Sequence, residues 1–137
     1  MSHLRRISIE LNDGPKIVQA LRDLGIEPQI ASDLTKNTQT LHSSFGLGNQ
    51  RVAIAVQRDS WHQVEPYAAD GIGFAWNGSG YDLVQDGMDG RKQDGLGLLR
   101  QRYAFLQVAE AMAANGWEVS ETQTAGKQIE LVFRKYS

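Results

Sequence analysis

The chain contains no cysteine among its 137 residues. Disulfides, thiol catalysis and cysteine-ligated zinc or iron–sulfur centres are therefore excluded within it. Its three histidines, His3, His42 and His62, do not stand at metal-ligand spacing from one another. The nearest combination is His62 with Glu65, but Pro66 disfavours a helix that would bring the two side chains together. The sequence thus predicts neither a bound metal nor a cofactor.

Long apolar runs are also missing. The first residues, MSHLRRISIELND, hold no apolar stretch long enough for a signal peptide or a membrane span, so we expect a cytoplasmic protein that does not bind membranes. The 14 basic and 16 acidic residues give a formal net charge of −2, which argues against a basic nucleic-acid-binding surface. With 41% hydrophobic and 22% charged residues the composition is that of an ordinary globular protein. We expect one domain over residues 1–137.

Recognised catalytic motifs are missing as well. His42-Ser43-Ser44 has no glycine-flanked serine of the kind that forms a nucleophile elbow. The segment around Gly46 and Gly48 lacks the lysine and the following helix of a phosphate-binding loop. The aspartates of residues 86–94 lack the closing glutamate of a calcium loop. We therefore favour a protein that is not an enzyme.

The strongest positive signal is a long helix over residues 96–115. Apolar side chains recur there at three- and four-residue spacing, and they are Leu98, Leu99, Tyr103, Phe105, Leu106, Ala109, Met112 and Ala113. Asn115-Gly116 suits a left-handed helix end. Arg102 lies at the edge of this apolar stripe and leaves two alternatives open. Its stem packs while its head reaches water, or the cation is anchored on a carboxylate or an anionic ligand.

Shorter apolar patterns predict a second helix and a set of strands. Asn12-Asp13-Gly14-Pro15 is typical of a helix start, and Gly25 of its end. Residues 32–44 are predicted to be irregular or to form a ragged hairpin arm at 39–41. Strands are predicted at residues 4–11, 26–30 (an edge strand because of Pro28), 51–57 (apolar on both faces), 72–76, 81–85, 117–122 and 128–134.

This order of elements predicts an α+β fold. Two amphipathic helices and several one-sided strands favour helices on one face of a mainly antiparallel sheet, and a ferredoxin-like sandwich with extra hairpins is the simplest version. The other face of that sheet is predicted to be open and hydrophilic. It would carry mixed charge and no aromatic pair for base stacking, so nucleic-acid binding is not expected. Its predicted residues are Arg6, Ser8, Glu10, Glu118, Ser120, Gln128, Glu130 and Arg134.

Several short segments, in a fixed order over nearly the whole chain, resemble one known family. They are MSH at the start, LRDLG at 21–25, IGF at 72–74, NG at 77–78, YDLV at 81–84 with Asp86, QRYA at 101–104 and Gly116. With them the chain resembles the family called hypothetical chloroplast frame thirty-five, a domain of unknown function from cyanobacteria, red-algal plastids and other bacteria. The resemblance implies a soluble protein of photosynthetic lineages with no established activity. Leu4 and Gly87-Met88 depart from the family, which usually has phenylalanine and often tryptophan there.

Two functions of different classes remain. The favoured one is a non-catalytic protein-binding or assembly module, with self-association or a protein partner, which would use Trp61, Tyr67, Arg6 and Arg134. The alternative is a small-ligand-binding protein or enzyme with a polar site near Arg102, Tyr103 and the loop from Asp86 to Asp94. A deep pocket containing Arg102 or Asp86 would favour the ligand site, and a flat contact surface would favour the module.

Overall fold

The computed structural model describes residues 3–8, 11–42, 49–66, 68, 70–87, 94–123 and 129–135, with the backbone alone at residues 3–8, 86, 87, 94, 117–123 and 129–135. The elements in chain order are β1 (His3–Ser8), α1 (Gly14–Asp23), β2 (Gln29–Ile30), β3 (Gln39–Leu41), β4 (Gln50–Val52), β5 (Ile54–Val56), α2 (Arg58–Trp61), β6 (Ile72–Trp76), β7 (Tyr81–Gly87), α3 (Asp94–Ala114), β8 (Trp117–Gln123) and β9 (Ile129–Lys135).

The central sheet has five strands in the order β1–β7–β6–β5–β2, and every neighbouring pair is antiparallel. Strand β5 lies inside it and is buried on both faces, as the apolar run predicts. The single strand predicted over residues 51–57 is instead divided at Ala53 between β4 and β5, which belong to different sheets. Strand β2 is a two-residue edge strand, in agreement with the effect expected of Pro28. The α+β class and the antiparallel sheet are therefore confirmed.

The main core lies between one face of this sheet and the two longer helices. Register places Ile54, Phe74 and Leu83 side by side on three neighbouring strands, and all three are fully buried. Ile17 and Leu21 of α1 and Leu99 of α3 pack into the same cluster. Burying a side chain of this size contributes about 1.5–3 kcal/mol, so this cluster is the main source of stability.

The opposite face of the sheet corrects the prediction of a hydrophilic surface. Ala55, Ala75 and Val84 point to that side and are buried, and they form a second cluster with Leu41 and Val52. The last two residues belong to the β3–β4 ribbon, which covers this face. The prediction was wrong for the part of the sheet formed by β5, β6 and β7, because local periodicity does not show that a ribbon folds over this face. The side chains of the residues named for the predicted open face lie outside the described residues, and they are Arg6, Ser8, Glu10, Glu118, Ser120, Gln128, Glu130 and Arg134.

Helix α1 begins and ends as predicted. The Asp13 side chain accepts a hydrogen bond from the Lys16 backbone N–H at 3.1 Å, and Pro15 occupies the first turn. Gly25 has a φ of +83° just beyond the helix, and the left-handed conformation ends it there. Gly116, with a φ of +81°, follows α3 in the same way.

Helix α3 buries its first half more deeply than its second. Leu96, Leu99 and Tyr103 are buried at helical spacing, whereas Phe105 and Met112 are half-buried. Most of the predicted apolar stripe is thus confirmed in position, but Ala113, which was assigned to it, is exposed. None of the described helices combines the length and the apolar character that crossing a bilayer requires.

The closing hairpin is present but does not join the central sheet. Strands β8 and β9 pair with each other as a separate two-stranded sheet. The partner of β1 is β7. The ferredoxin-like sandwich is therefore not confirmed, since local pairing signals in a sequence do not say which hairpin completes which sheet.

Candidate functional site

The described residues form an open groove of about 830 Å³ at one end of the sheet. Four parts of the chain that are distant in sequence meet there, and we call this feature the Tyr103 groove. Its lining comprises residues 12–15 at the start of α1, residues 32–35, Trp76 and Tyr81 beside the β6–β7 turn, and Tyr103 and Gln107 on α3.

Tyr103 connects α3 to the start of α1. Its side chain is 3% exposed. Its hydroxyl oxygen accepts hydrogen bonds from the backbone N–H groups of Asn12 at 3.3 Å and Asp13 at 3.2 Å, and from the Gln107 amide at 3.4 Å. A phenol needs a polar partner when its ring is buried, and here the partners are N–H groups just before a helix.

Tyr81 fixes the opposite wall. Its hydroxyl donates a 2.8 Å hydrogen bond to the Leu34 carbonyl, and its ring meets the Trp76 ring edge-to-face with 5.2 Å between centroids. Gly14 leaves room for this arrangement. A Cβ at position 14 would lie 2.5 Å from the Tyr81 hydroxyl oxygen and 2.9 Å from Leu34 Cδ1.

The segment that contains residues 32–35 is held by side-chain hydrogen bonds. The Asn37 amide donates to the Trp76 carbonyl at 3.1 Å and accepts from the Trp76 N–H at 2.8 Å. Asn37 therefore binds the end of β6 as a neighbouring strand would. Asp33 Oδ1 accepts from the backbone N–H of Thr35 at 2.9 Å and from its hydroxyl at 2.6 Å, which is a tight local turn.

The charged side chains of the groove lining are two carboxylates. Lys16 donates to Asp13 Oδ2 at 2.8 Å and lowers the pKa of that carboxyl. Lys16 also pairs with Glu110 of α3, and the two carboxylates raise the pKa of its ammonium. The Thr35 hydroxyl and N–H lower the pKa of Asp33. Burial raises the pKa of Tyr81, and the charges of Asp13 and Asp33 raise it further. Both carboxylates of the groove lining therefore act on the Tyr81 hydroxyl in the same direction.

Of the three residues predicted to bind a ligand, one lines the groove. Tyr103 is that residue. Arg102 lies 14% exposed beside α1, with its Nε 3.9 Å from Asp23 Oδ2 and its guanidinium 5.2 Å from the centre of the Phe105 ring. This geometry agrees with the alternative of a cation anchored on a carboxylate. Asp86 lies on β7 opposite Leu4, and its side chain is outside the described residues.

The residues predicted to bind a partner do not form one described surface. Trp61 is 2% exposed in the main core, so its side chain cannot meet a partner while α2 stays folded. Arg6 lies on β1 and Arg134 on β9, strands of different sheets, and their side chains are outside the described residues. Tyr67 is likewise outside them. The assignment of Trp61 to a partner surface was therefore wrong, because the ring belongs to the core, and partner binding by Arg6, Tyr67 and Arg134 stays a prediction.

Sequence reasoning missed most of the groove. Asp33, Asn37 and Trp76 were assigned to an irregular segment or to the core. The available signal was the spacing of Asp33 and Thr35, which is typical of a side-chain turn. No local pattern announces that Asn37 would reach Trp76, 39 residues away. In the part of the chain that the structure describes, no three histidine or acidic side chains converge as a metal site would require.

Comparisons with known proteins give one match. The model of a family described as Protein of unknown function (DUF1257) matches residues 20–132. No curated protein and no solved structure matches the chain. The matched range includes the 32–35 segment, both groove aromatics of β6 and β7, and the α3 residues Tyr103 and Gln107.

Proposed function

The chain belongs to the DUF1257 family of unknown function, and from that premise we propose that it is a non-catalytic protein-binding module. The surface that binds is the Tyr103 groove, and the occupant is an extended segment of a protein partner. The observation that carries the proposal is an open groove whose walls are fixed in advance. Two expectations from the sequence belong to the same proposal: a cytoplasmic location, expected from the lack of long apolar runs, and occurrence in photosynthetic lineages, which the resemblance implies.

Because the walls of the groove are already ordered, little conformational entropy is lost when a partner binds, and this favours binding. Three contacts between distant parts of the chain hold them: Tyr81 to Leu34, Asn37 to Trp76, and Tyr103 to the backbone before α1. Each contact ties a loop to a helix or strand of the main core. The groove is open along its surface, so it suits an extended chain better than an enclosed small molecule.

The groove also has the mixed chemistry of a peptide site. Trp76 and Leu34, both half-buried, supply apolar surface, and aromatic side chains are favoured at protein interfaces. Asn12, Thr35 and Gln107 supply polar groups that can meet the main chain of a partner. This combination gives both affinity and register to a bound segment.

Site-specific cross-linking tests the proposal. Ser32 is exposed in the groove lining and Ala104 is exposed on α3 outside it. A photoreactive p-benzoylphenylalanine placed at position 32 should give discrete covalent adducts in lysate of the source cells, and excess unlabelled protein should abolish them. The same group at position 104 is the matched control. Adducts of equal yield at both positions, or none at position 32, would contradict a partner in the groove.

The small-ligand alternative keeps one observation in its favour, because Tyr103 lines the groove as that hypothesis requires. Arg102 is engaged with Asp23 and Phe105 instead. Native mass spectrometry of protein purified from its source cells separates the two functions. A bound mass of a few hundred daltons would support a ligand site, and the bare chain mass would support the module.

A further inference from the structure

We propose that the partner segment presents a basic side chain, lysine or arginine, which Asp33 receives in the Tyr103 groove, while Tyr103 donates a hydrogen bond to a carbonyl of the same segment. This inference rests on the proposed function and names the chemistry of its partner. Three independent features of the groove carry it.

The first feature is the carboxylate oxygen of Asp33 that accepts no hydrogen bond within the turn. Both hydrogen bonds that Asp33 accepts from Thr35 fall on Oδ1. Among the described residues Oδ2 has no hydrogen-bond partner, and the residue is exposed at the groove. By contrast both oxygens of Asp13 are occupied by Lys16. Asp33 Oδ2 is therefore the acceptor that a cationic side chain would meet.

The second feature is the charge of the groove. Its described lining contains Asp13 and Asp33 and no basic residue. Lys16 and Lys36 lie near these carboxylates, yet both carboxylate charges still raise the pKa of Tyr81. A cation is attracted into such a site and an acidic segment is repelled.

The third feature is an unused donor that is almost completely buried. The Tyr103 oxygen is the acceptor in each of its hydrogen bonds with described residues. Its own hydrogen therefore remains for an acceptor in the groove, and the side chain is only 3% exposed. A tyrosine hydroxyl can donate a hydrogen bond as well as accept one. A main-chain carbonyl of a bound segment would satisfy it.

Fluorescence anisotropy with three short peptides tests the inference. The probe is a fluorescein-labelled Gly-Lys-Gly-Lys-Gly amide, and its matched versions carry norleucine or glutamate in place of lysine. The lysine peptide should bind most tightly, and its affinity should fall with rising salt because the contact between charges is exposed. The Asp33→Asn substitution should lower the affinity for the lysine peptide about fivefold, the upper range for an exposed ion pair. The matched control is Asp59→Asn, which removes the same charge from a side chain that is 93% exposed on α2. It should leave the affinity for the lysine peptide unchanged.

The outcomes separate the inference from the proposed function. Equal binding of the lysine and norleucine peptides, or no effect of Asp33→Asn, would overturn the inference, while adducts at position 32 would still support a partner. Tyr103→Phe adds an independent measurement. This substitution should lower the affinities for the norleucine peptide and the lysine peptide by the same factor, about fivefold for one neutral hydrogen bond. An unchanged affinity for both would overturn the part assigned to Tyr103.

Discussion

Single atoms decide much of the geometry at the groove. Gly14 is required because the Tyr81 hydroxyl and a Leu34 methyl occupy the space that a side chain would need. In the sequence, Gly14 stands in a helix start, where other residues are equally acceptable. Its packing role could not be predicted, since both neighbours come from distant parts of the chain.

Gly14→Ala should destabilise the protein by about 1–3 kcal/mol, the usual cost of overpacking. Gly97→Ala is the matched control, because a Cβ at this α3 position meets nothing within 4 Å. It should stabilise by roughly 0.5–1 kcal/mol through helix propensity. Urea denaturation measures both changes. Equal effects of the two substitutions would contradict the packing assigned to Gly14.

The charge of Asp13 gives a pH dependence with a definite sign. Its folded pKa lies below the ordinary value of 3.8 because Lys16 donates to it. The unfolded chain therefore binds more protons near that pH, and the contribution is complete above the unfolded pKa and lost as pH falls through the folded one. Because 39% of the Asp13 side chain is exposed, this charge contributes about a few tenths of a kcal/mol to the free energy of unfolding.

Asp13→Asn keeps a capping side chain and isolates this charge. The variant should be less stable than the parent at neutral pH, and the difference should shrink as pH falls below the unfolded value of 3.8. Urea denaturation at a series of pH values measures it. A difference that grows on acidification would show that the sign is wrong.

At the scale of elements, a buried carboxylate sets the start of α3. Glu65 is 7% exposed, and its Oε2 accepts a 2.8 Å hydrogen bond from the Gly95 N–H. A carboxylate at a helix N-terminus satisfies an unpaired N–H and opposes the helix dipole. Because Tyr103 lies further along α3, this contact also helps to place the groove wall.

Glu65→Ala should cost about 1.5–3 kcal/mol, the range for a hydrogen bond to a charged group. Glu65→Gln keeps an oxygen acceptor and should cost less. Hydrogen exchange of the first-turn amides of α3 should accelerate in the same order. Equal stability of the alanine variant and the parent would mean that α3 starts without help from Glu65.

The elements themselves follow closely from local patterns. The caps at Asp13, Gly25 and Gly116 were predicted, and so was the interior strand β5. Each depends on residues close in sequence. The groove could not be predicted, because its walls depend on contacts such as Asn37 with Trp76 that local periodicity does not encode.

At the scale of the whole molecule, strands β5, β6 and β7 of the sheet are covered on both faces rather than open on one. Val84 on the reverse face is 2% exposed, whereas Val108 on α3 is 36% exposed. Val84→Thr places a hydroxyl in an apolar cluster and should cost about 1–3 kcal/mol. Val108→Thr should change stability by less than about 0.5 kcal/mol. Thermal unfolding of the pair compares them. If Val84→Thr were as stable as the parent, the burial of the reverse face at position 84 would be contradicted.

The central claim is that the Tyr103 groove binds a basic extended segment, and an NMR titration of the ¹⁵N-labelled protein with the lysine peptide tests it most directly. The account predicts saturable shifts at the backbone amides of residues 12–14 and 32–35 and at the indole N–H of Trp76, with the indole of buried Trp61 unmoved. Shifts confined to β8 and β9, or the same shifts with the glutamate peptide, would contradict it.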